Sequence, residues 1–456
     1  RDQRVEDQGD CAVTLSTPEK IRTLQRKLYC KAKSEPDFRF YALYDKIYRF
    51  DILSHAYHLV RSNRGAPGSD GVSFASIEDG EGRECFLRKL QEELQSKSYR
   101  AQPVRRVWIP KADGSKRPLG IPTIRDRVAQ MAVKLIIEPI CEADFCDTSY
   151  GFRPKRSAHD AVDAVAESLL RRHGHVIDAD ISKYFDTIPH AKLLATVAER
   201  ISDGGILWLL KQWLKAAVVE EDKNGRRRTT GGGKGNRLGT PQGGVISPLL
   251  ANLYLHLLDR IWERHECATR YGARIVRYAD DLVILCAGSV ERPLGVLREV
   301  LSLLDLRLNE QKTRIVNAYK ERFDFLGFSF CLRQSHKSGK LYPHVEPSRR
   351  SVQRVKDRVK LLTDRKRTPI PLDDVVAEVN RSLRGWSEYF HYGNSSAVFG
   401  HVKWQVEERV RLHLRRRFKL YSRYHAYHLL SSSTLYDRYG LFKLPTTAGW
   451  RKMHAL

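Results

Sequence analysis

Three things are scarce in this sequence. The first is long apolar runs: none approaches the roughly 18 residues needed to span a bilayer, so a membrane is not an expected partner. The second is paired cysteines. The eight cysteines stand at 11, 30, 85, 141, 146, 267, 286 and 331, with no Cys-x-x-Cys among them. They read as reduced core thiols of an intracellular protein, neither zinc ligands nor disulfides. The third is negative charge. Against 80 Lys and Arg there are 54 Asp and Glu, a formal net charge of +26. That excess points to a polyanionic partner, nucleic acid first. No secretory signal is visible, and the expected location is cytoplasmic, in association with the nucleoid. The chain has 456 residues, 41% of them hydrophobic, enough for two or three domains with a sizeable core.

The few carboxylates are placed unevenly. In Arg274–Cys286, two short apolar runs, Ile275-Val276 and Leu282-Val283-Ile284-Leu285, flank Tyr278-Ala279-Asp280-Asp281. This reads as a β-hairpin with two adjacent carboxylates at its tip. Two such groups repel each other and are costly to desolvate. A divalent cation with a preference for hard oxygen ligands, such as Mg²⁺, offsets both costs. A second β-run, His175–Asp186, carries Asp178, Asp180 and Asp186 and ends in the aromatic pair Tyr184-Phe185. One Asp from this strand plus the hairpin pair would make a two-metal site for in-line phosphoryl transfer.

Asp180 through Asp186, then Gly239-Thr-Pro-Gln-Gly-Gly-Val-Ile-Ser-Pro-Leu-Leu-Ala-Asn-Leu253, then Tyr278–Asp281, resemble the palm motifs of reverse transcriptases, in the order that family uses. The wording of the middle motif is similar to the branch encoded by bacterial group II introns. The resemblance extends over roughly residues 60 to 456. It implies an α+β right-hand polymerase: fingers, a palm whose β-sheet carries the catalytic carboxylates, and an α-helical thumb/maturase bundle. The implied divisions are a leader with helices over 1–60, fingers with an N-terminal extension loop over 61–170, palm over 171–344 and thumb/maturase over 345–456.

Several other stretches fit that frame. Residues 21–62 and 81–98 have helical spacing, and Arg64–Gly71 is a tight loop resembling the family's template-covering extension motif. Pro103–Pro122 alternates like a hairpin around Asp113-Gly114, with Lys111, Lys116 and Arg117 clustered at the turn. The resemblance implies that Lys111 and Arg117 grip the triphosphate of the incoming nucleotide, a task suited to charge-assisted contacts. Residues 124–140, 159–170 and 191–218 read as helices, with Asp160 capping the second. The glycine- and arginine-rich stretch 222–238 reads as a mobile basic loop inserted in the palm. Ser247-Pro248 reads as N-cap and first-turn proline of a helix running to Leu258. Phe323–Phe330 resembles the primer grip, a β-hairpin.

Beyond residue 345 three apolar stripes step by three or four: Val352–Leu362, Leu372–Phe390 and Phe399–Leu414. They describe an α-helical bundle. From 349 to 456 there are 23 Lys and Arg against 9 Asp and Glu, a net of +14. Arg411, Arg415, Arg416, Arg417 and Lys419 are the densest cluster and the expected nucleic-acid contacts. Arg384–Tyr392 and Leu435–Leu444 resemble the maturase-specific part of bacterial group II intron proteins. No Cys/His-rich endonuclease pattern follows in this sequence, which puts target-strand cleavage by the protein itself in doubt.

The resemblance implies an RNA-directed DNA polymerase in which Asp180, Asp280 and Asp281, with the backbone carbonyl of Ile181, hold two Mg²⁺, Mn²⁺ being a substitute. Phe185 matches the steric gate against a ribose 2′-hydroxyl. Gln242 would contact the incoming sugar or the template, Lys312 the nucleotide, and Tyr278 would pack beside the primer end; Asp178 and Asp186 are assigned to structure. The implied partners are group II intron RNA, an RNA template with a DNA primer or DNA target, and deoxynucleoside triphosphates. The implied roles are cDNA synthesis, assistance to intron splicing, and retrohoming. The alternative is a freestanding relative serving defence, including CRISPR-associated defence, or DNA repair.

Overall fold

A computed structural model describes residues 16–110, 114, 116–221 and 227–450. Lys111 and Asp113, and with them the tip of the expected fingers hairpin, lie outside the described residues, as do residues 1–15 of the expected leader region and part of the basic loop at 222–238. The described strands are β1 (Val104–Pro110), β2 (Lys116–Ile121), β3 (His175–Asp180), β4 (Val218–Glu221), β5 (Arg227–Gly231), β6 (Ala273–Tyr278), β7 (Asp281–Cys286), β8 (Arg314–Asn317), β9 (Phe323–Phe325), β10 (Phe328–Gln334) and β11 (Leu341–Pro347). Helices are interspersed with them along the chain and the sheets are largely antiparallel, so the class is α+β. Among the described residues no helix is long and apolar enough to cross a membrane.

The chain divides into two compact units. The first runs to Arg156 and adds 181–264 and 298–308. Its sheet has the order β2-β1-β4-β5. β1 and β2 pair antiparallel from Arg105↔Ile121 to Pro110↔Lys116, as their alternation predicts. β4 then joins β1 in parallel and pairs antiparallel with β5, so the stretch expected to be a mobile loop contributes a strand at Arg227–Gly231. The alternating Glu220-Glu221 and Arg227-Arg228 supply opposite charges across the β4–β5 ladder, Glu220↔Arg228 and Glu221↔Arg227. The Ile124–Asp144 helix is buried along most of its length, and the Thr123 hydroxyl accepts from the Asp126 amide at its start.

The second unit comprises 157–180, 265–297 and 309 onward. Its larger sheet has the order β6-β7-β3-β8, antiparallel throughout. β7 is buried from Leu282 to Cys286, which is why it reads as a continuous apolar run without alternation. The Ala158–Leu170 helix packs against β6 and β7. It opens with a capping box in which Ser157 is the cap and Asp160, the residue expected to cap, reaches back from the first turn. A three-stranded sheet, β11-β10-β9, follows; its third strand, β11, was not foreseen. The β9–β10 turn is Leu326-Gly327, with φ 50° and 81°, the pair of left-handed residues that a tight hairpin turn requires.

The bundle has the three expected helices, Arg349–Leu362, Leu372–Phe390 and Ser396–Arg417. Val355, Val359, Leu383, Phe399, Val402, Val406 and Leu414 share one core. Two short helices, Arg423–Leu429 and Ser432–Asp437, were not foreseen. Leu430, Leu435, Leu441 and Leu444 complete the core, so the Leu435–Leu444 motif is an integral layer of the bundle.

Two smaller expectations are corrected. Ser247 is the first residue of its helix rather than its cap, and its hydroxyl donates to the Pro241 carbonyl at 2.8 Å. None of the seven described cysteines is in a disulfide, but Cys30 and Cys85 are exposed and only the other five are core thiols.

Candidate active site

The site is assembled by strand register. β3 and β7 run antiparallel with Ile177 opposite Ile284, Ala179 opposite Leu282 and Asp180 opposite Asp281. Directly opposed residues of such a ladder lie about 4.5–5.5 Å apart at Cα and share a face. Two carboxylates from distant parts of the sequence are therefore neighbours. The third follows from the turn. Tyr278 pairs with Asp281, leaving Ala279-Asp280 as the hairpin tip. Ala279 has φ 58°, a left-handed conformation costing a residue with a Cβ about 1–2 kcal/mol. Strain of this kind concentrates where geometry serves function.

The tip is held from inside by a residue that sequence reasoning missed. Arg277 is 0% exposed, and its Nη1 donates to the Ala279 carbonyl at 3.1 Å. Its position in an apolar strand was the available signal: a guanidinium there must be bound by its surroundings. Asn309 was missed too. Its Nδ2 donates to Asp180 Oδ2 at 2.9 Å, and its amide donates to the Asp180 carbonyl at 2.7 Å. Lys312, three residues on, places Nζ 3.4 Å from the same Oδ2.

Among the described residues, no three His, Cys, Asp or Glu side chains converge closely enough as they stand to hold one ion. The donor set nevertheless suits a hard divalent cation. It consists of carboxylate oxygens, two of its members are in ladder register, and Asp180 already attracts an ammonium group. Asp178, two residues earlier on β3, behaves differently. Burial pushes its carboxyl up to about 6; Arg314, its partner on β8, opposes that shift, and Asp324 and Asp180 reinforce it.

Other candidates lie in the first unit. Arg117 Nε donates to Gln242 Oε1 at 2.7 Å, and the Gln242 carbonyl accepts from the Gly120 amide at 2.6 Å. Two of the expected nucleotide-site residues are thus tied together, while Lys111 lies outside the described residues. Phe185 is buried in a single turn of helix, Tyr184–Thr187, and its carbonyl accepts from the Thr240 amide at 2.7 Å. A pocket of about 170 Å³ is lined by Arg106, Asp186, Thr240 and Gln242 among others. Asp186, assigned to structure from the sequence, is exposed and forms part of that wall. Ile181, next in sequence to Asp180, is buried.

The basic cluster of the bundle requires a correction. Arg411 is buried. It donates through Nε to the Leu430 carbonyl at 2.8 Å, pairs with Glu408, and lies 4.3 Å from the Tyr427 ring centroid. Arg417 donates to the carbonyls of Thr368 and Ile370 at 2.8 and 2.6 Å. These two tie helices and loops together. Arg416 and Lys419 are exposed, and Arg415 is half-buried. Tyr278 is half-buried at the end of β6.

Comparison with known proteins accords with this geometry. Residues 109–330 match the family described as Reverse transcriptase (RNA-dependent DNA polymerase), and residues 352–429 that described as Group II intron, maturase-specific domain. Protein YkfC of Escherichia coli (strain K12) is 35% identical over 352 residues, 69% of this chain and 89% of YkfC. Group II intron-encoded protein LtrA of Lactococcus lactis subsp. cremoris is 32% identical over 371 residues, 66% of this chain and 59% of LtrA. A putative COX1/OXI3 intron 2 protein of Saccharomyces cerevisiae is 33% identical over 57% of this chain and 29% of its own length. The chain therefore spans less than two thirds of these two longer relatives. A solved structure of telomerase from Candida albicans aligns with a TM-score of 0.41 and 14% identity over 78% of this chain and 66% of that one, too loosely to carry an argument.

Proposed function

The chain belongs to the group II intron reverse transcriptases, with a polymerase core followed by a maturase-specific domain, and on that premise we propose that it copies RNA into DNA and binds its own intron RNA to assist splicing and retrohoming. The observation that carries the reading is the register of Asp180 against Asp281 beside the Asp280 turn.

In this reading Asp180, Asp280 and Asp281, with the Ile181 carbonyl, hold two Mg²⁺. When bound, these ions make the primer 3′-hydroxyl more acidic and neutralise charge developing on the pyrophosphate. The chain's own groups do the rest. Arg277 fixes the hairpin tip. Asn309 orients Asp180. Lys312 exchanges Asp180 for a phosphate oxygen when nucleotide arrives. Arg117 grips the triphosphate together with Lys111, and Gln242 meets the sugar or template. Phe185 excludes a 2′-hydroxyl, and Tyr278 packs beside the primer end. The divisions at 60, 170 and 344 correspond in this reading to extension, fingers, palm and thumb. The net charge of +26 supports a nucleic-acid substrate, and the proposed place of action is the cytoplasm, on nucleoid DNA.

The test is extension of a DNA primer on an RNA template with deoxynucleoside triphosphates, with and without Mg²⁺. Wild type should extend only with the metal. Asp280→Asn and Asp281→Asn should each lose at least about 10²–10³-fold in rate, the scale of removing one preorganised charge-stabilising group. RNA binding should stay near wild type. Extension by either variant at a comparable rate would end the assignment.

A further inference from the structure

The charge count does not explain a pocket at the basic end of the bundle. It has a volume of about 320 Å³ and lies between the last turns of the Ser396–Arg417 helix and the Arg423–Leu429 helix. Glu408, Arg409, Arg415, Arg423 and Tyr427 are among its walls. Arg411 stacks on Tyr427 and is itself bonded to the Leu430 carbonyl, which fixes the ring in place. Arg423 approaches the same ring at 5.8 Å. Arg409 reaches the Lys360 carbonyl through Nη2 at 3.3 Å, yet its Nε is buried without a hydrogen-bond partner. An N–H that buried is out of a ligand's reach, so Arg415 and Arg423 supply the guanidinium groups of the wall.

Further aromatic rings are exposed on the helix that forms one wall and on the chain leading into it. Tyr424 is 76% exposed and Tyr421 93%. Tyr424 and Tyr427 are three residues apart on one helix and so share a face. Arginines alone would suit a phosphate, but the pocket also holds the fixed Tyr427 ring, which a phosphate leaves unused, and Glu408, whose Oε1 is engaged by Arg411 while its second oxygen can still accept. A nucleobase fits all of these features. It is flat and uncharged, stacks on tyrosine rings and guanidinium planes, and carries acceptors for the guanidinium N–H groups of the wall. On amino-bearing bases it also offers a donor to Glu408.

We propose that this pocket captures one unpaired, amino-bearing nucleobase splayed out of structured RNA, with flanking nucleotides stacking on Tyr424 and Tyr421. The inference rests on the RNA-binding role proposed above and specifies it. Paired bases stay inside their helix, so the pocket reads loops or bulges and leaves duplex to the exposed charges.

Three RNA hairpins of equal stem and equal phosphate count test it. The first has an adenosine loop with one 2-aminopurine, the second an abasic loop, and the third a uridine loop. Wild type should bind the adenosine loop about tenfold more tightly than the abasic loop and quench the 2-aminopurine, as one stacked base implies. The uridine loop should fall between them. Tyr427→Leu and Tyr424→Leu should lose most of that preference, and Tyr→Phe at either position should keep it. Tyr427 packs on Arg411, so its leucine variant is also checked by thermal melting. Tyr424→Leu, altering an exposed ring, carries the test if Tyr427→Leu melts early. Equal binding of the adenosine and abasic loops by wild type, or an unchanged preference in Tyr424→Leu, overturns the proposal. Wild-type extension on a short RNA template is measured alongside. Extension without loop preference defeats the pocket alone, whereas absence of extension defeats the polymerase reading.

Discussion

Lys312→Gln separates two demands made on one ammonium group. The side chain is 67% exposed and lies 3.4 Å from Asp180 Oδ2. An exposed pair of that kind contributes about 0–1 kcal/mol to folding, so the variant should melt within a degree or two of wild type. Asp180 keeps its bond from Asn309 at 2.9 Å and stays oriented. The effect on the proposed metal site has the opposite sign. An ammonium and a divalent ion sharing one carboxylate repel each other by about 1–2 kcal/mol in water-like surroundings. Removing the ammonium should lower the Mg²⁺ concentration for half-maximal extension by roughly 5- to 20-fold. The nucleotide meanwhile gives up a charge-assisted hydrogen bond worth about 1.5–3 kcal/mol, and its KM should rise roughly 10- to 100-fold. The assay is steady-state primer extension, titrating Mg²⁺ at nucleotide well below its KM, where Lys312 still sits on Asp180, and then nucleotide at saturating Mg²⁺. Opposite movement of the two half-points is the signature. A metal requirement that rises, or a KM that does not move, would falsify the exchange of Lys312 between Asp180 and phosphate.

Gly327→Ala places a Cβ at φ 81°, 3.0 Å from Ser351 Oγ and 3.2 Å from the Phe390 ring. It should cost about 2–3 kcal/mol and loosen the β9–β10 hairpin, read as a lower melting temperature and weaker primer binding; an unchanged melt would mean that the turn relaxes freely. Asp178 is pushed up to about 6 by burial, so its contribution to stability is whole below the ordinary carboxylate range and is lost as pH rises through about 6. Asp178→Asn lacks that loss and should gain about 1–2 kcal/mol on wild type between pH 4.5 and 7.5, allowing for partial solvent screening, as compared by denaturant titration at both pH values. Phe185→Val should admit ribonucleotides that wild type rejects, checked by extension with ribonucleoside triphosphates; unchanged discrimination in an active variant would leave Phe185 a core residue only.

Elements with strong local signals were legible in the sequence. The β6–β7 hairpin, the helical stripes of the bundle and the capping role of Asp160 each follow from side-chain period or cap chemistry within a dozen residues. Long-range relations were not. The parallel pairing of β1 with β4 joins residues 104 and 218, and no local pattern specifies it. β5, Arg227–Gly231, is exposed along most of its length and has no apolar face to betray a strand. β11 contains two prolines and a histidine and reads as loop, yet seven residues pair with β10. Arg277 was hidden by its type: an arginine in a strand is usually exposed, and only the turn it supports shows why this one is not.

The bundle shows why the number of charges overstates the hold on phosphate. Five cations within nine residues suggested a single basic edge, but a helix presents its residues in all directions, and the core claims some of them. Arg411 is taken up by Leu430, Glu408 and Tyr427, and Arg417 by the carbonyls of Thr368 and Ile370. Each satisfies backbone acceptors that would otherwise be left without partners where a helix meets a loop. Replacing either should therefore destabilise the bundle rather than weaken RNA binding selectively. Within this cluster the charges free to meet phosphate are Arg416 and Lys419, with Arg415 partly so. Each phosphate that is no longer neutralised lowers the salt slope of binding by about one. Removing both exposed cations can then account for a change of about two, against about five if the whole cluster faced RNA. The rest of the bundle's salt dependence belongs to its other exposed cations, Arg354, Arg358 and Lys360 among them, while the exposed tyrosines of the Arg423–Leu429 region offer contacts that salt does not screen.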